Sequence, residues 1–347
     1  MKLSEFKYNL PRNAIAKFPA DPRDSSRMMV LHRQTGEIED KNFKNFLDYI
    51  HKGDSIVVNN TKVFPARLYG KKEKTNAKIE VMLLRELKAE DRIWDVLVEP
   101  ARKVRIGNKI YFDNNKFYCE VIDNTTSRGR TVRFSYDGNL FKVIERIGEM
   151  PLPTYIKRDP VEIDKTTFQC VFADEEQLSS ISPPSAGLHF TKEMIKEIEK
   201  KGAKIVPIVL HIGQGIFEQI EVEDLTKHRM YSENFQISRE AAETINKSLR
   251  NKKNVIAVGC SVARALEASV LTSGQVKPNK GWTDKFIYPP FEFKIVSAML
   301  TNFHPPASPS LLLAAAFSGK ENMFKAYKRA AKSDYRFLVY GDAFLVM

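Results

Sequence analysis

The chain has 347 residues, 43% hydrophobic and 28% charged, which is ordinary for a folded globular protein and longer than one typical domain. No run of about 18 apolar residues occurs, and Met1-Lys-Leu-Ser-Glu-Phe-Lys-Tyr8 lacks a signal peptide's apolar core. Net charge is +12, which points to a polyanionic partner, and the three well-separated cysteines (Cys119, Cys170, Cys260) exclude a disulfide framework or a CxxC metal knuckle. These features predict a cytoplasmic protein with no membrane partner.

The first sixty residues read as α/β, with short β-like runs at 28–31 and 55–58. Between them Phe43, Phe46, Leu47 and Ile50 recur at helical spacing. Beyond Phe64 the pattern changes to short β-like segments at 79–84, 93–98, 109–112, 117–122 and 131–136. Asn114-Asn115 and Asp137-Gly138 are turn dipeptides within it. Such spacing predicts a small barrel or sandwich, and Pro151-Leu-Pro153 marks the exit from it. Residues 62–158 carry 21 Lys/Arg against 13 Asp/Glu, so eight of the twelve net positive charges fall there. A concentrated basic field of this kind suits phosphate contacts.

From there on, strands alternate with helices. Thr191 is a plausible N-cap for 192–200, with Met194, Ile195 and Ile198 inward and Gly202 as the stop; Ser238 opens 239–250, with Ala242, Ile245 and Leu249 inward. Ser318 or Gly319 precedes a helix whose apolar face is Met323, Phe324, Tyr327 and Ala331. The predicted architecture is an α/β domain, a mostly parallel sheet covered by helices, built from residues 1–63 and 152–347. A β-barrel domain, 64–151, is inserted into it.

Four apolar runs end in polar, turn-forming residues. They are 205–210 into His211, 255–258 into Gly259, 298–300 into Thr301-Asn-Phe-His304, and 337–340 into Gly341-Asp342. Since ligands bind at the carboxyl edge of an open α/β sheet, the four together predict one enzyme site. Of the six histidines, His32 and His51 read as surface or fill. His189, His211, His228 and His304 sit among Gly, Pro or Asn and read as functional. His228 and Glu233 are five apart, poor spacing for metal ligands, so no metal is expected. Gly213-x-Gly215 after a strand suggests close backbone approach to a ligand, but GxGxxG, GxxxxGK[ST] and GxSxG are absent. The segments Pro22–Arg27 and Asn59–Arg67 combine Arg with small hydrogen-bonding residues. This combination suits either bidentate recognition of carboxylate or phosphate, or loop structure.

Ordered along the whole chain, several segments are similar to the S-adenosylmethionine:tRNA ribosyltransferase-isomerases of queuosine biosynthesis. They are Pro22–Arg27, Asn59 with Thr61 to Arg67, Ala186-Gly-Leu-His-Phe-Thr191, Leu210-His-Ile-Gly-x-Gly215, His228-x-Met230 with Ser232-Glu233, Phe286-Ile-Tyr-Pro289, Thr301-Asn-Phe-His304, Tyr335-Arg-Phe337 and Gly341-Asp-Ala343. The resemblance implies transfer and isomerisation of the ribosyl part of S-adenosylmethionine onto the 7-aminomethyl-7-deazaguanine wobble base of tRNA. The products would be epoxyqueuosine-tRNA, adenine and methionine. It also implies an α/β domain with an inserted β-barrel, a queuosine-type tRNA as partner, and no cofactor. Nothing suggests a coiled coil, and a monomer is expected.

The resemblance and its chemistry nominate His189, His211, Glu233 and His304 as general-base candidates, because a sulfonium makes the adjacent ribose 5′-carbon acidic. Asp342 is a candidate proton donor to the departing adenine. Arg23, Arg27 and Arg67 are candidates for RNA or methionine-carboxylate contacts. Arg264, with Glu267 one turn on, is a candidate for orienting a carboxylate or phosphate. The matched motifs add Asn59, Thr61, Gly187, Phe190, Gly213, Gly215, Phe217, His228, Asn302 and Arg336 as substrate-binding candidates. Arg102, Lys103 and Arg105 are assigned to anticodon-stem phosphates. Several positions depart from the family pattern: Asn60 stands for Asp, Pro183-Pro-Ser185 for Ala-Pro-Thr, Gln214 and Ile216 for Leu and Thr, Cys260-Ser-Val-Ala263 for Thr-Thr-Ser-Val, and Ala307 for Lys. They leave open a second reading, a diverged paralogue that binds RNA with little or no catalysis. A third is an S-adenosylmethionine enzyme acting on another acceptor.

Overall fold

The computed structural model describes residues 1–113, 116–213, 215 and 220–347. The Asn114-Asn115 turn and Phe217 lie outside the described residues. Nine strands form one mixed sheet: β1 (Arg27–His32), β2 (Glu37–Asn42), β3 (Ser55–Asn59), β12 (Lys204–Leu210), β13 (Glu233–Ile237), β14 (Val255–Val258), β15 (Asn279–Thr283), β16 (Ala298–Asn302) and β17 (Ala343–Val346). Their order is β15-β13-β12-β3-β14-β16-β17-β1-β2. The centre, β12, β3, β14 and β16, is parallel. β13 is antiparallel to β12, and β17 to β16, while β1 runs parallel to β17.

Alternation along these strands feeds two cores. Met29, Leu31, Val57, Val255, Ala257, Met299, Phe344 and Val346 point to one face, and Met28, Val30, Ile56, Val58, Ile256, Val258, Ala298, Leu300 and Leu345 to the other. A strand covered on both sides reads as a continuous apolar run, which is why these segments are legible from sequence. One face is covered by α4 (Arg239–Arg250), α5 (Cys260–Ala268), α6 (Pro309–Ser318) and α7 (Lys320–Lys332), the other by α3 (Lys192–Lys200) and the 3-10 segment Phe43–Tyr49. Thr191 and Ser238 cap α3 and α4 through their hydroxyls, and Gly319 opens α7. The inner stripe of α7 is Met323, Ala326, Tyr327 and Ala330, with Phe324 and Ala331 at its margin.

Residues 67–135 hold a closed, all-antiparallel six-stranded barrel. Its order is β10-β7-β6-β5-β8-β9, formed by β5 (Arg67–Lys72), β6 (Lys78–Lys88), β7 (Ile93–Glu99), β8 (Lys109–Asp113), β9 (Phe117–Asn124) and β10 (Gly129–Ser135). Leu68, Ile79, Val81, Trp94, Val96, Ile110, Val121 and Val132 fill it, and α1 (Leu140–Ile147) adds Leu140 and Ile144. The short segments β4 (Lys62–Val63) and β11 (Leu178–Ser180) pair between the two bodies.

Phe337–Tyr340 is not a strand. Leu338 has φ +72°, and the chain turns through Gly341 before β17 begins at Ala343. Asp342 therefore precedes its strand. Because β17 runs against β16, with Asn302 paired to Ala343, Asp342 still arrives at the carboxyl edge of the central strands.

Asn59, at the end of β3, is fully buried. Its Nδ2 donates to Leu210 O (2.8 Å), while Oδ1 accepts from Leu210 N (3.0 Å) and Thr61 N (3.2 Å), fixing the edge where β3 and β12 end. Asn59→Ala should lower unfolding stability by about 2–4 kcal/mol, since it orphans buried backbone groups. Chemical denaturation checks this, and a change near zero would mean that the edge is held by the strands alone.

Candidate active site

The carboxyl ends of β12, β3, β14 and β16, with the amino ends of β13, β17 and β1, meet at one edge of the sheet. A cavity of about 950 Å³ opens there, lined by Ser182, Glu233, Gly259, Cys260, Ser261, Arg264, Thr301, Asn302 and His304, with Arg128 contributed by the barrel. Gly259 has φ +100°, a conformation that costs a side chain strain, and it lets the chain turn from β14 into α5. The first turn of α5 thus places Cys260 and Ser261 on the cavity wall, and its positive dipole end faces the ligand space.

Glu233 opens β13 and is buried against Arg264 of α5, the two forming an ion pair on the wall. Glu233 Oε1 also accepts from Gly213 N at 3.0 Å, tying in the loop after β12. Burial pushes the Arg264 guanidinium down to about 10. Arg264 Nε and Ser182 Oγ, both in residues that line the cavity, are buried without a hydrogen-bond partner among the described residues. Such groups in a native site are suited to a polar ligand.

His304 is the one histidine that lines this cavity among the described residues. Its Nε2 lies 2.7 Å from Thr301 Oγ and 3.3 Å from Cys260 Sγ. Its main chain is held by two tyrosines: His304 N donates to Tyr327 OH (3.0 Å), and Tyr8 OH donates to His304 O. Nearby, His211 Nδ1 meets Thr61 Oγ at 2.8 Å.

His189 has a different environment. It is buried behind the edge, with its ring 5.0 Å from that of Phe43. Asn302 Nδ2 donates to the carbonyls of Leu338 (3.0 Å) and Val339 (3.3 Å), so its Oδ1 must accept from His189 Nε2 (3.1 Å). Nδ1 then accepts from Ser26 Oγ (2.8 Å). Both ring nitrogens are satisfied in a neutral imidazole.

Several other nominated residues serve structure. Asp342 accepts from Arg27 N (3.1 Å), Arg336 N (2.8 Å) and the Arg336 guanidinium (3.0 and 3.2 Å). Glu267 accepts the main-chain N–H groups of Lys294, Ile295 and Val296 at 3.0–3.1 Å. Arg23 donates to Thr166 O and Gln169 O, Arg67 to Leu152 O with Glu80 beside it, and Arg27 lies over the Tyr335 ring. Gly187 leaves no room for a Cβ against Phe172 and Cys170, Phe190 packs among Phe43, Phe46 and Phe172, and His228 packs on Phe286. Gly215 lines the cavity beside Tyr231. Arg102, Lys103 and Arg105 are exposed on the barrel, in a segment whose carbonyls at Ala101 and Val104 accept from the Arg130 guanidinium. Sequence reasoning missed Ser182, Cys260 and Thr301 as wall residues, although all three lie within or beside the motifs it singled out.

Burial lowers His189, His211 and His304 each to about 4, from an ordinary 6.5. As pH falls, the unfolded chain therefore takes up these protons before the folded one does. Their stabilising contribution is full above 6.5 and is lost as pH falls from 6.5 through about 4. Urea unfolding should show lower stability at about pH 5 than at about pH 7.5, with His189→Gln flattening the slope by roughly one proton. An unchanged slope in that variant would place the His189 proton elsewhere.

The family model described as "Queuosine biosynthesis protein" matches residues 3–346. The chain is 55% identical to the S-adenosylmethionine:tRNA ribosyltransferase-isomerase of Cytophaga hutchinsonii and 53% identical to that of Chloroherpeton thalassium, in both cases over all of both chains. A crystal structure of S-adenosylmethionine tRNA ribosyltransferase from Thermotoga maritima is 34% identical over 99% of this chain and all of that one, with a TM-score of 0.56. With a mixed helix-covered sheet and a closed barrel beside it, and with the family's motifs gathered at one sheet edge, the chain belongs to the queuosine biosynthesis protein family.

Proposed function

We propose that the protein transfers and isomerises the ribosyl moiety of S-adenosylmethionine onto the 7-aminomethyl-7-deazaguanine wobble base of tRNA, releasing adenine and methionine and leaving epoxyqueuosine in the tRNA. The observation that carries this reading is convergence: motif segments spread from Ile212 to His304 line one cavity at the sheet edge, with Arg128 of the barrel on it. Its volume of about 950 Å³ suits a nucleoside sulfonium together with one extruded base.

In this reading His304 handles the proton at the ribose 5′-carbon, because it is the histidine on the cavity wall and is neutral at pH 7. Arg264, with its unpartnered Nε, receives the methionine carboxylate, and Glu233 holds the guanidinium in place for it. His211 with Thr61 stands behind the wall as the second acid–base pair. The scheme uses no metal or redox cofactor. Arg102, Lys103 and Arg105 contact tRNA phosphates from a barrel domain of residues 64–151, and residues 1–63 with 152–347 form the catalytic domain. The protein acts as a monomer in this reading, since nothing in the sequence suggests a coiled coil. Its three free cysteines suit a reducing cytoplasm. Among the described residues no helix is long and apolar enough to cross a membrane.

Incubated with S-adenosylmethionine and precursor tRNA, the protein should yield epoxyqueuosine in nucleoside digests and free adenine in the supernatant, both read by mass spectrometry. Their absence beside an active relative would overturn the reading. His304→Ala should lower kcat at least about 10²-fold. An equal rate would remove the assignment of that proton to His304. Affinity for tRNA should fall steeply with salt, and replacing Arg102, Lys103 and Arg105 together by Ala should reduce the log–log slope by about 2–3. An unaltered slope would move the phosphate contacts off this segment.

A further inference from the structure

The chain has two tryptophans with opposite surroundings. Trp94 is 2% exposed inside the barrel, whereas Trp282 is 55% exposed on β15, the edge strand of the large sheet. Register ties Trp282 to the site: its neighbour Thr283 pairs with Glu233, and Lys285, Phe286 and Ile287, a few residues on, line the cavity. Across the cleft, the Arg85 guanidinium of barrel strand β6 lies 5.4 Å from the indole centroid. Arg85 is itself fixed, since its Nε donates to Asp95 Oδ2 (2.9 Å), and Asp95 Oδ1 accepts from Thr131 Oγ (3.1 Å). Strand alternation puts exposed Lys280 on the same face as Trp282, and Arg128 reaches the cavity from the barrel side.

A sheet edge is ordinarily protected by charge, and a half-exposed indole there leaves apolar surface in water with only one weak cation–π contact to hold it. An aromatic face set among Arg and Lys, on a strand that leads into a cavity's lining, is an arrangement suited to an unpaired nucleotide, the ring stacking on the base and the cations meeting its phosphates. We propose that Trp282, with Arg85, is a stacking platform for an unpaired anticodon-loop base next to the nucleotide that enters the cavity. This rests on tRNA being the substrate. Because stacking accepts any base, the platform holds the loop in place without reading its sequence.

The test is a titration of the protein's tryptophan fluorescence with tRNA, together with steady-state kinetics. With Trp94 buried, emission should be quenched by tRNA through Trp282, and Trp282→Phe should lose the quench while keeping a near-normal KM for tRNA. Trp282→Ala should raise the KM for tRNA about tenfold and leave the KM for S-adenosylmethionine unchanged. Wild-type emission unmoved by saturating tRNA, or an alanine variant with a KM for tRNA within twofold of wild type, would reduce Trp282 to a strap between sheet and barrel. The functional reading fails separately: quenching without epoxyqueuosine formation would overturn the reaction and leave the platform, and product formation without quenching would do the reverse.

Discussion

The Glu233–Arg264 ion pair is the interaction on which the rest of the site depends. It joins the start of β13 to α5, and through the Gly213 amide it also anchors the loop that follows β12. Both side chains are buried, so each charge needs the other: breaking such a pair by removing one partner typically costs about 3–5 kcal/mol. The pair also fixes a guanidinium in a water-poor wall before any ligand arrives. Charge placed in advance in a low dielectric is worth more to a reaction than charge that must reorganise.

Beside that pair the edge carries three neutral imidazoles. His304, His211 and His189 are all held well below their ordinary pKa by burial, so the His304 imidazole on the wall is neutral beside the Thr301 hydroxyl and the Cys260 thiol. The departures from the family pattern are absorbed in this setting. Cys260 keeps contact with His304 and with Thr301 Oγ (3.5 Å), and Thr301 supplies the hydroxyl nearest the imidazole. Asn60, in place of an acid, points its amide toward the Asp174 carboxylate at 3.5 Å. Glu233 and Arg264 are the buried charges of the wall, with Lys7, Arg128 and Lys285 as further cations and Glu221 and Glu223 as further acids around the cavity.

Much of this was legible in the sequence, for a physical reason. Central strands covered on both faces read as unbroken apolar runs, and capped amphipathic helices such as α3 and α4 announce themselves through Thr191 and Ser238. The same logic explains the failures. α6 is apolar on all sides and shows no stripe, so it was not recognised as a helix. β13 is a strand of five residues, too short for its alternation to stand out in the sequence, so the place of Glu233 at its start emerges only from the fold. The run 337–340 has the composition of a strand, but Leu338 takes a positive φ and the true strand begins at Ala343. Residue type alone also does not show partners: His189, Asp342 and Glu267 each make several hydrogen bonds that only the fold reveals.

The central claim is that Arg264, held by Glu233, forms the anionic-group pocket of the S-adenosylmethionine site. Calorimetric titration of S-adenosylmethionine into wild type, Arg264→Met and Glu233→Gln tests it directly, with circular dichroism confirming that each variant is folded. The account predicts a single site in the wild type, binding weakened at least about tenfold in Arg264→Met, and a smaller loss in Glu233→Gln, where the guanidinium remains but is no longer held by a charge. A folded Arg264→Met protein that binds S-adenosylmethionine as tightly as the wild type would contradict it.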